Sequence, residues 1–248
     1  MQASDKTCRV IDLGRIGYAE ACDLQERLVL ARKSGALPDL LLLCEHPHVL
    51  TLGRNGRITN LRASQADLES RGVEFHHATR GGDITYHGPG QIVGYPILQL
   101  AEIRRDVGWY VRQLEEVMMR ASAAFGVDAF RVPGCTGTWT RPAGAQANEK
   151  IGAIGVHISR WVTSHGFAFN VCTDLSFFDL IVPCGIAGCR TTSLYHALQR
   201  PVKIADVRPI DTAEFARAFD LRVEFDEPRR LDEWLSATAP QASDSTLR

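Results

Sequence analysis

Lys150, in the stretch EKIGAIGVHISR, and Cys184, in IVPCGIAGCR, stand 34 residues apart in a chain of 248. A cysteine reacts as its thiolate, and a nearby ammonium group favours that form by charge. If the fold brings the two together, the chemistry on offer is acyl transfer through a thioester. Upstream lies a dense segment, residues 80–96, reading RGGDITYHGPGQIVGYP. Its glycines remove side chains where backbone must approach something closely or take a positive φ. Arg80, Asp83, Thr85, Tyr86, His87 and Gln91 set polar groups among them. The three features together suggest a thiolate nucleophile beside a glycine-lined slot for an acyl chain.

Each feature also has a plainer reading. Segment 80–96 could be a glycine-rich hairpin with ordinary surface polarity. A lysine opening a strand is commonly solvated, and a cysteine commonly acts as a small buried hydrophobe. Against the last point, Pro183, Cys184 and Gly185 form a loop context, where a thiol can be exposed. Neither the P-loop spacing nor the dinucleotide fingerprint is present in segment 80–96. Cys184 and Cys189 lack a second ligand pair at metal spacing, so no metal is expected. His157 and His165, on successive strands, could be core, structural or site residues.

A frame of strands and helices must hold these groups. Residues 10–13, 40–45, 49–52, 75–79 and 92–98 have the alternation or β-branched content of strands. Residues 129–132 and 136–140 predict a strand pair. Residues 151–158 and 167–171 predict a second hairpin joined through 159–164. A helix is predicted over 18–33, with Ala21, Leu24, Leu28 and Ala31 on one face. A short helix follows Ser64, with Asp67 where a capping box wants an acid. The apolar stripe Val107, Tyr110, Val111, Leu114, Val117, Met118, Ala121 and Phe125 predicts a helix over 107–125, stopped at Gly126. Another is predicted over 212–219, capped by Asp211. The mixture predicts an α+β fold, a mixed β-sheet flanked by helices. Residues 1–226 form one catalytic domain in this reading, and the polar stretch 227–248 a flexible tail, frayed from Ala237 on.

Bulk properties narrow the function classes. A hydrophobic fraction of 45% with 23% charged residues fits a globular protein with an ample core. A net charge of -1 argues against a general nucleic-acid binder. Seven cysteines without regular spacing suggest free thiols in a reducing compartment. The apolar run 40–44 is too short to span a bilayer, and the first residues lack the layout of a secretory signal. A cytoplasmic location without a membrane partner is expected. Arg57, Arg62, Arg104 and Arg105 could form a basic docking face, although a solvated surface would look the same.

RGGDITYHGPGQIVGYPI, KIGAIGVHISRWVTSHGFAFNV and IVPCGI, in this order, closely resemble the lipoyl(octanoyl) transferase family. EHPHVLTLGR, residues 45–54, belongs to the same resemblance, which covers roughly residues 10–219. One departure is visible: TRPAGAQANE, residues 140–149, looks longer than the tight turn expected before the family lysine.

The resemblance implies a fold like that of biotin- and lipoate-protein ligases, and a two-step acyl transfer without a cofactor. The family's nucleophile falls on Cys184, and the lysine that favours its thiolate falls on Lys150. The acyl-substrate stretches fall on Arg80, Gly81, Gly82, Asp83, Ile84, Thr85, Tyr86 and His87, on Ala153, Ile154 and Gly155, and on Gly166, Phe167 and Ala168. Phe167 is expected to supply an apolar wall, and backbone N–H groups near Gly185 or Gly155 an oxyanion site. His87 and, more weakly, His46 are candidates for the same pocket, and Arg80 for anchoring a polar donor group or pinning a loop. The implied donor is octanoyl-acyl carrier protein. The implied acceptors are lipoyl domains of 2-oxoacid dehydrogenases and the glycine-cleavage H protein. An ATP-dependent lipoate-protein ligase would leave Cys184 without a task. An amidotransferase between lipoyl-domain proteins would share the nucleophile and differ only in donor. A non-catalytic binding protein would have no use for the lysine–cysteine pair.

Overall fold

The computed structural model describes residues 6–186 and 188–238. In chain order the elements are β1 (Thr7–Arg15), α1 (Tyr18–Lys33), β2 (Asp39–Glu45), β3 (Val49–Leu52), α2 (Gln65–Ser70), β4 (Glu74–His77), β5 (Ile84–His87), β6 (Gln91–Ile97), α3 (Leu100–Ile103) and α4 (Val107–Ala124). There follow β7 (Ala129–Val132), β8 (Cys135–Thr140), β9 (Glu149–Ser159), β10 (Val162–Asn170), β11 (Arg190–Thr191), α5 (Leu194–Leu198), α6 (Ile204–Phe219), β12 (Arg222–Asp226) and α7 (Arg229–Thr238). Single 3₁₀ turns at Leu175–Leu180 and Pro183–Gly185 carry the chain between β10 and β11.

Among the described residues, nine strands form one sheet, ordered β12-β1-β2-β6-β10-β9-β8-β7, with β11 pairing beside β9. β1 pairs in parallel with both β12 and β2, and the remaining neighbours on that path are antiparallel. The fold is thus the expected α+β arrangement, a mixed sheet with helices on both faces. β2 shows why both faces must be covered, since Leu40 through Cys44 are all buried. Leu41 and Leu43 join a core with Leu114, Val117 and Met118 of α4 and Phe215 of α6. Leu40, Leu42 and Cys44 join a second core with Ala21 and Leu28 of α1. The apolar stripe predicted for α4 is fully buried at Tyr110, Leu114, Val117, Met118 and Ala121. Each such large side chain contributes about 1.5–3 kcal/mol on leaving water.

A smaller sheet, β4-β3-β5, lies apart with its own core of Leu50, Leu68, Ile84, Tyr86, Phe178 and Ile181. α2, beside it, carries the predicted capping box, with Asp67 N–H donating to Ser64 Oγ and the Asp67 carboxylate accepting from Ser64 N–H.

Three expectations change. The loop predicted over 159–164 is a two-residue turn, because Arg160 and Trp161 both take positive φ, at 51° and 65°. That geometry matches the twist of a tight hairpin and lets the strands run to its edge. The helix predicted from Thr212 starts at Ile204, so Asp211 is an interior residue with no solvent exposure rather than a cap. Pro209 lies within the helix. The expected polar tail from residue 227 instead begins with α7, whose Leu231 and Leu235 are buried in the core against α1. Two leucines at i and i+4 on an otherwise polar helix are enough for a one-sided contact. Residues 239–248 of the expected tail lie outside the described residues. No helix among the described residues is long and apolar enough to cross a membrane.

Candidate active site

Alternation along β9 and β10 sets small residues on the sheet face turned toward α1. Ala153 lies opposite Ala168, and Gly155 opposite Gly166. With so little bulk there, the loop before β5 can lie directly on the sheet. Gly81 N–H donates to Val156 O at 2.9 Å, and a Cβ on Gly155 would stand 2.8 Å from Arg80 Cδ. A cavity of about 280 Å³ results between loop and sheet. Ala153, Gly155, Gly166, Ala168, Val93 and Tyr95 line one side of it, and Gly82, Asp83, Ile84, Thr85 and His87 the other.

Lys150 and Cys184 both open into this cavity. Lys150 Nζ lies 3.3 Å from Cys184 Sγ and donates to Thr136 O at 2.9 Å. The ammonium also sits over the Trp139 ring, 4.8 Å from its centroid, a cation–π position. Trp139 Nε1–H donates to Cys135 O at 2.9 Å, which fixes the ring beneath the lysine. The longer segment before Lys150 leaves its path intact, since Lys150 stays in register with Trp139 across β8 and β9.

Cys184 has a left-handed backbone, φ 56° and ψ 17°, unusual for a residue with a side chain. Gly185 continues in the same region at φ +66°, and a Cβ there would meet Asp83 Oδ2 at 2.5 Å. Asp83 is held in turn by Asn60 Nδ2 at 2.8 Å and Ile84 N–H at 2.6 Å. The loop's donors are spent internally: Gly185 N–H donates to Val182 O at 3.0 Å. Gly185 therefore cannot offer the oxyanion contact expected of it. Burial pushes the thiols of Cys8, Cys22, Cys44, Cys172 and Cys189 upward, Cys189 to about 11. These stay protonated at neutral pH, whereas Cys184 is half-buried in contact with a cation.

At the far end of the cavity the polar groups are neutral. His87 is pushed down to about 3 by burial, reinforced by His46 and Arg80, and its Nδ1–H donates to Gln91 Oε1 at 2.7 Å. Gln91 Nε2 donates to Asn170 Oδ1 at 2.9 Å, and Asn170 Nδ2 to Thr192 O at 2.9 Å. Thr192 N–H donates to Lys150 O at 2.9 Å, so one hydrogen-bonded chain ties His87 to the lysine's strand. His165 is pushed down to about 4, mainly by burial and then by Arg80. His46 has no exposure and stands behind the cavity, accepting from Tyr95 O–H at 2.7 Å and donating to Ile16 O at 2.8 Å.

Three anticipated residues take other parts. The Phe167 ring packs in the core beneath α4, while the residue still borders the cavity, whose apolar lining also includes Val93, Ala153 and Ala168. Tyr86 turns into the small core, its hydroxyl 2.8 Å from His48 Nδ1. Arg80 gives its terminal nitrogens to Gly81 O, Asp83 O, Thr51 O and Thr51 Oγ1 at 2.6–3.0 Å. It pins the loop while its stem lines the cavity. His157 lies at a second cavity of about 350 Å³, beyond His165.

Trp139, Thr136, Tyr18 and Tyr95 escaped the sequence reading. Trp139 is the register partner of Lys150 across β8 and β9, but a tryptophan eleven residues upstream of a lysine carries no signal of that pairing.

Residues 17–216 match the family model of the lipoyl protein ligase A/B catalytic domain. An octanoyltransferase of Solibacter usitatus is 50% identical over 218 residues, 88% of this chain and 96% of that protein. An octanoyltransferase of Acidobacterium capsulatum is 56% identical over 192 residues, 75% of this chain and 78% of that protein. Among solved structures, the bipartite lipoate protein ligase of Thermoplasma acidophilum superposes with a TM-score of 0.71 at 16% identity, covering 94% of this chain and 91% of that one. A lipoate-protein ligase A bound with ATP gives 0.68 at 15% identity, covering 93% of both chains. The last two likenesses concern the fold alone. With the family model spanning most of its length and relatives at half identity, this chain belongs to the lipoyl protein ligase A/B catalytic-domain family, on its octanoyltransferase branch.

Proposed function

We propose that the protein moves an octanoyl group from octanoyl-acyl carrier protein to the lysine of a lipoyl domain, through a thioester on Cys184. One observation carries the mechanism: Lys150 Nζ lies 3.3 Å from Cys184 Sγ at the end of a slot floored by glycine and alanine. The names of the relatives supply the octanoyl group.

The resting pair is an ammonium and a thiolate. Cys184 Sγ attacks the donor carbonyl, and the carbon–sulfur bond to the carrier breaks. The departing carrier thiolate takes the Lys150 proton. The acyl chain stays in the slot, where burial is worth about 0.8 kcal/mol per methylene. The acceptor lysine, arriving as a free amine, attacks the Cys184 thioester and gives a proton back to Lys150 Nζ. Cys184 leaves as thiolate, which restores the starting pair. An amide is more stable than a thioester, so the sequence runs without ATP.

The test is intact mass after mixing the protein with octanoyl-acyl carrier protein in the absence of ATP. The expected result is an adduct of octanoyl mass on the Cys184 peptide, discharged by a lipoyl domain. Strict dependence on ATP, or an adduct on another residue, would overturn the reading.

A further inference from the structure

Some arginines far from the cavity are neutralised by carboxylates, while others, Arg27, Arg105 and Arg160 among them, are exposed with no ion pair among the described residues. Arg9 pairs with Glu224 at 2.7 Å, Arg32 with Asp39 at 2.9 Å, Arg120 with Glu116 at 2.8 Å and Arg131 with Glu115 at 2.8 Å. Arg104, at the opposite end of the sheet from Cys184, is paired with Asp106 at 3.4 Å. Arg57 and Arg62 differ. Both are exposed, and among the described residues neither guanidinium has a carboxylate within ion-pair distance. Arg190, on the other side of the Cys184 loop, is likewise exposed and unpaired.

Segment 57–62 is stitched to that loop. Val182 N–H donates to Asn60 O at 2.7 Å, Arg62 N–H to Leu180 O at 2.9 Å, and Leu61 bridges to Ile181. Asn60 Nδ2 holds Asp83, which packs against Gly185. Asp83 faces inward, and Asp179, an exposed acid on the same rim, forms no ion pair with Arg62. Between the two arginines Ile58 is 56% exposed, one of few large apolar side chains open to solvent. Uncompensated charge around an exposed apolar residue is the composition of a docking rim.

We infer that Arg57, Ile58 and Arg62 form the surface on which the acceptor domain docks, through an acidic face beside its target lysine. The inference rests on the acyl-enzyme reading above. The acceptor is favoured over the donor by reach: a lysine has only a four-carbon stem. The body that carries it must therefore touch residues directly flanking Cys184. A thioester carried on a long prosthetic arm sets no such requirement.

The test uses the Arg57→Glu/Arg62→Glu double variant and splits the two half-reactions. Acyl-enzyme formation from octanoyl-pantetheine, a donor without a protein body, should match the unaltered protein. Transfer from the loaded enzyme to an isolated lipoyl domain should fall about tenfold or more at low salt, through KM. Added salt should narrow that gap. Transfer to free Nα-acetyl-lysine should not change, and the Arg57→Lys/Arg62→Lys variant should behave like the unaltered protein. An unchanged rate with the lipoyl domain, or an equal loss with the free amine, would overturn the docking surface. Lipoyl-domain affinity for the unacylated protein, measured by titration, tests docking even if no acyl-enzyme forms. Absence of that acyl-enzyme would instead sink the transfer mechanism.

Discussion

The two ends of the cavity solve opposite electrostatic problems. At the mouth, a buried ammonium is left without a carboxylate and touches a sulfur, a backbone carbonyl and an indole face. At the far end, imidazoles are desolvated until they lose their charge, and their hydrogen bonds go to amides, hydroxyls and carbonyls. The contrast teaches that one end of the slot sets an amine against the thiol, while burial at the other end holds the imidazoles neutral. The Arg80 guanidinium also borders the cavity, with its terminal nitrogens given to Thr51, Gly81 O and Asp83 O.

The sharpest way to break this picture is at the mouth. Lys150→Ala should lower turnover by about a hundredfold to ten-thousandfold, the range lost with a positioned proton-transfer group. It should also slow alkylation of Cys184 by iodoacetamide at neutral pH, followed by peptide mass. Wild-type alkylation in that variant would remove the lysine from the mechanism. Next comes the slot. Gly155→Ala forces a methyl against Arg80 Cδ at 2.8 Å and Gly81 O at 3.0 Å, so the loop over the cavity must lift. We expect KM for the octanoyl donor to rise about tenfold, a cost of about 1.4 kcal/mol, with Cys184 alkylation unaffected. A rise in alkylation rate alone would mean that the loop shields the sulfur rather than shaping the slot.

How far these residues could be read beforehand depends on the range of the contact that positions them. Lys150 and Cys184 were legible because both lie in segments with distinctive local composition. The slot's small residues were legible because alternation on neighbouring strands puts them on one face. The Phe167 ring turns into the core because a period of two sends the side chain between Gly166 and Ala168 to the other face, although the residue still borders the cavity. Asp83 and Arg80 were placed at the substrate by the family resemblance, and both line the cavity, but their internal hydrogen bonds were not legible. Their partners are Asn60, in the turn at Ile58–Asn60, and Thr51, on β3, and only the tertiary fold reveals those bonds. Helix α7 was hidden by its polar composition, since a two-leucine stripe is too thin to stand out.

Smaller effects probe the far end through stability. His87 and His165 have folded values of about 3 and about 4, below the ordinary 6.5. The unfolded chain therefore binds protons first as pH drops, and stability declines from 6.5 downward until the folded values are reached. Each histidine should add a slope of about 1.4 kcal/mol per pH unit within its window. Chemical denaturation at pH 7, 6 and 5 checks this, and His165→Gln should flatten the curve. The smallest effect lies outside the cavity. Asp211 is buried in α6 without a hydrogen-bond partner, and burial raises its carboxyl from 3.8 to about 7. The stability it retains when protonated is lost as pH climbs from 3.8 through 7. Asp211→Asn should raise the melting temperature more at pH 8 than at pH 5. An equal change at both would show that the carboxyl ionises freely.

The backbone of the proposed nucleophile carries a further consequence. A residue with a side chain in the left-handed region costs about 1–2 kcal/mol relative to the ordinary conformation. The fold tolerates that penalty at Cys184 because the turn is tied down on both flanks. Natural drift toward sturdiness at this position would favour glycine, which has no such penalty and no sulfur. The protein would thus gain robustness by losing its trade, and selection for catalysis must continually resist the easier, inert alternative.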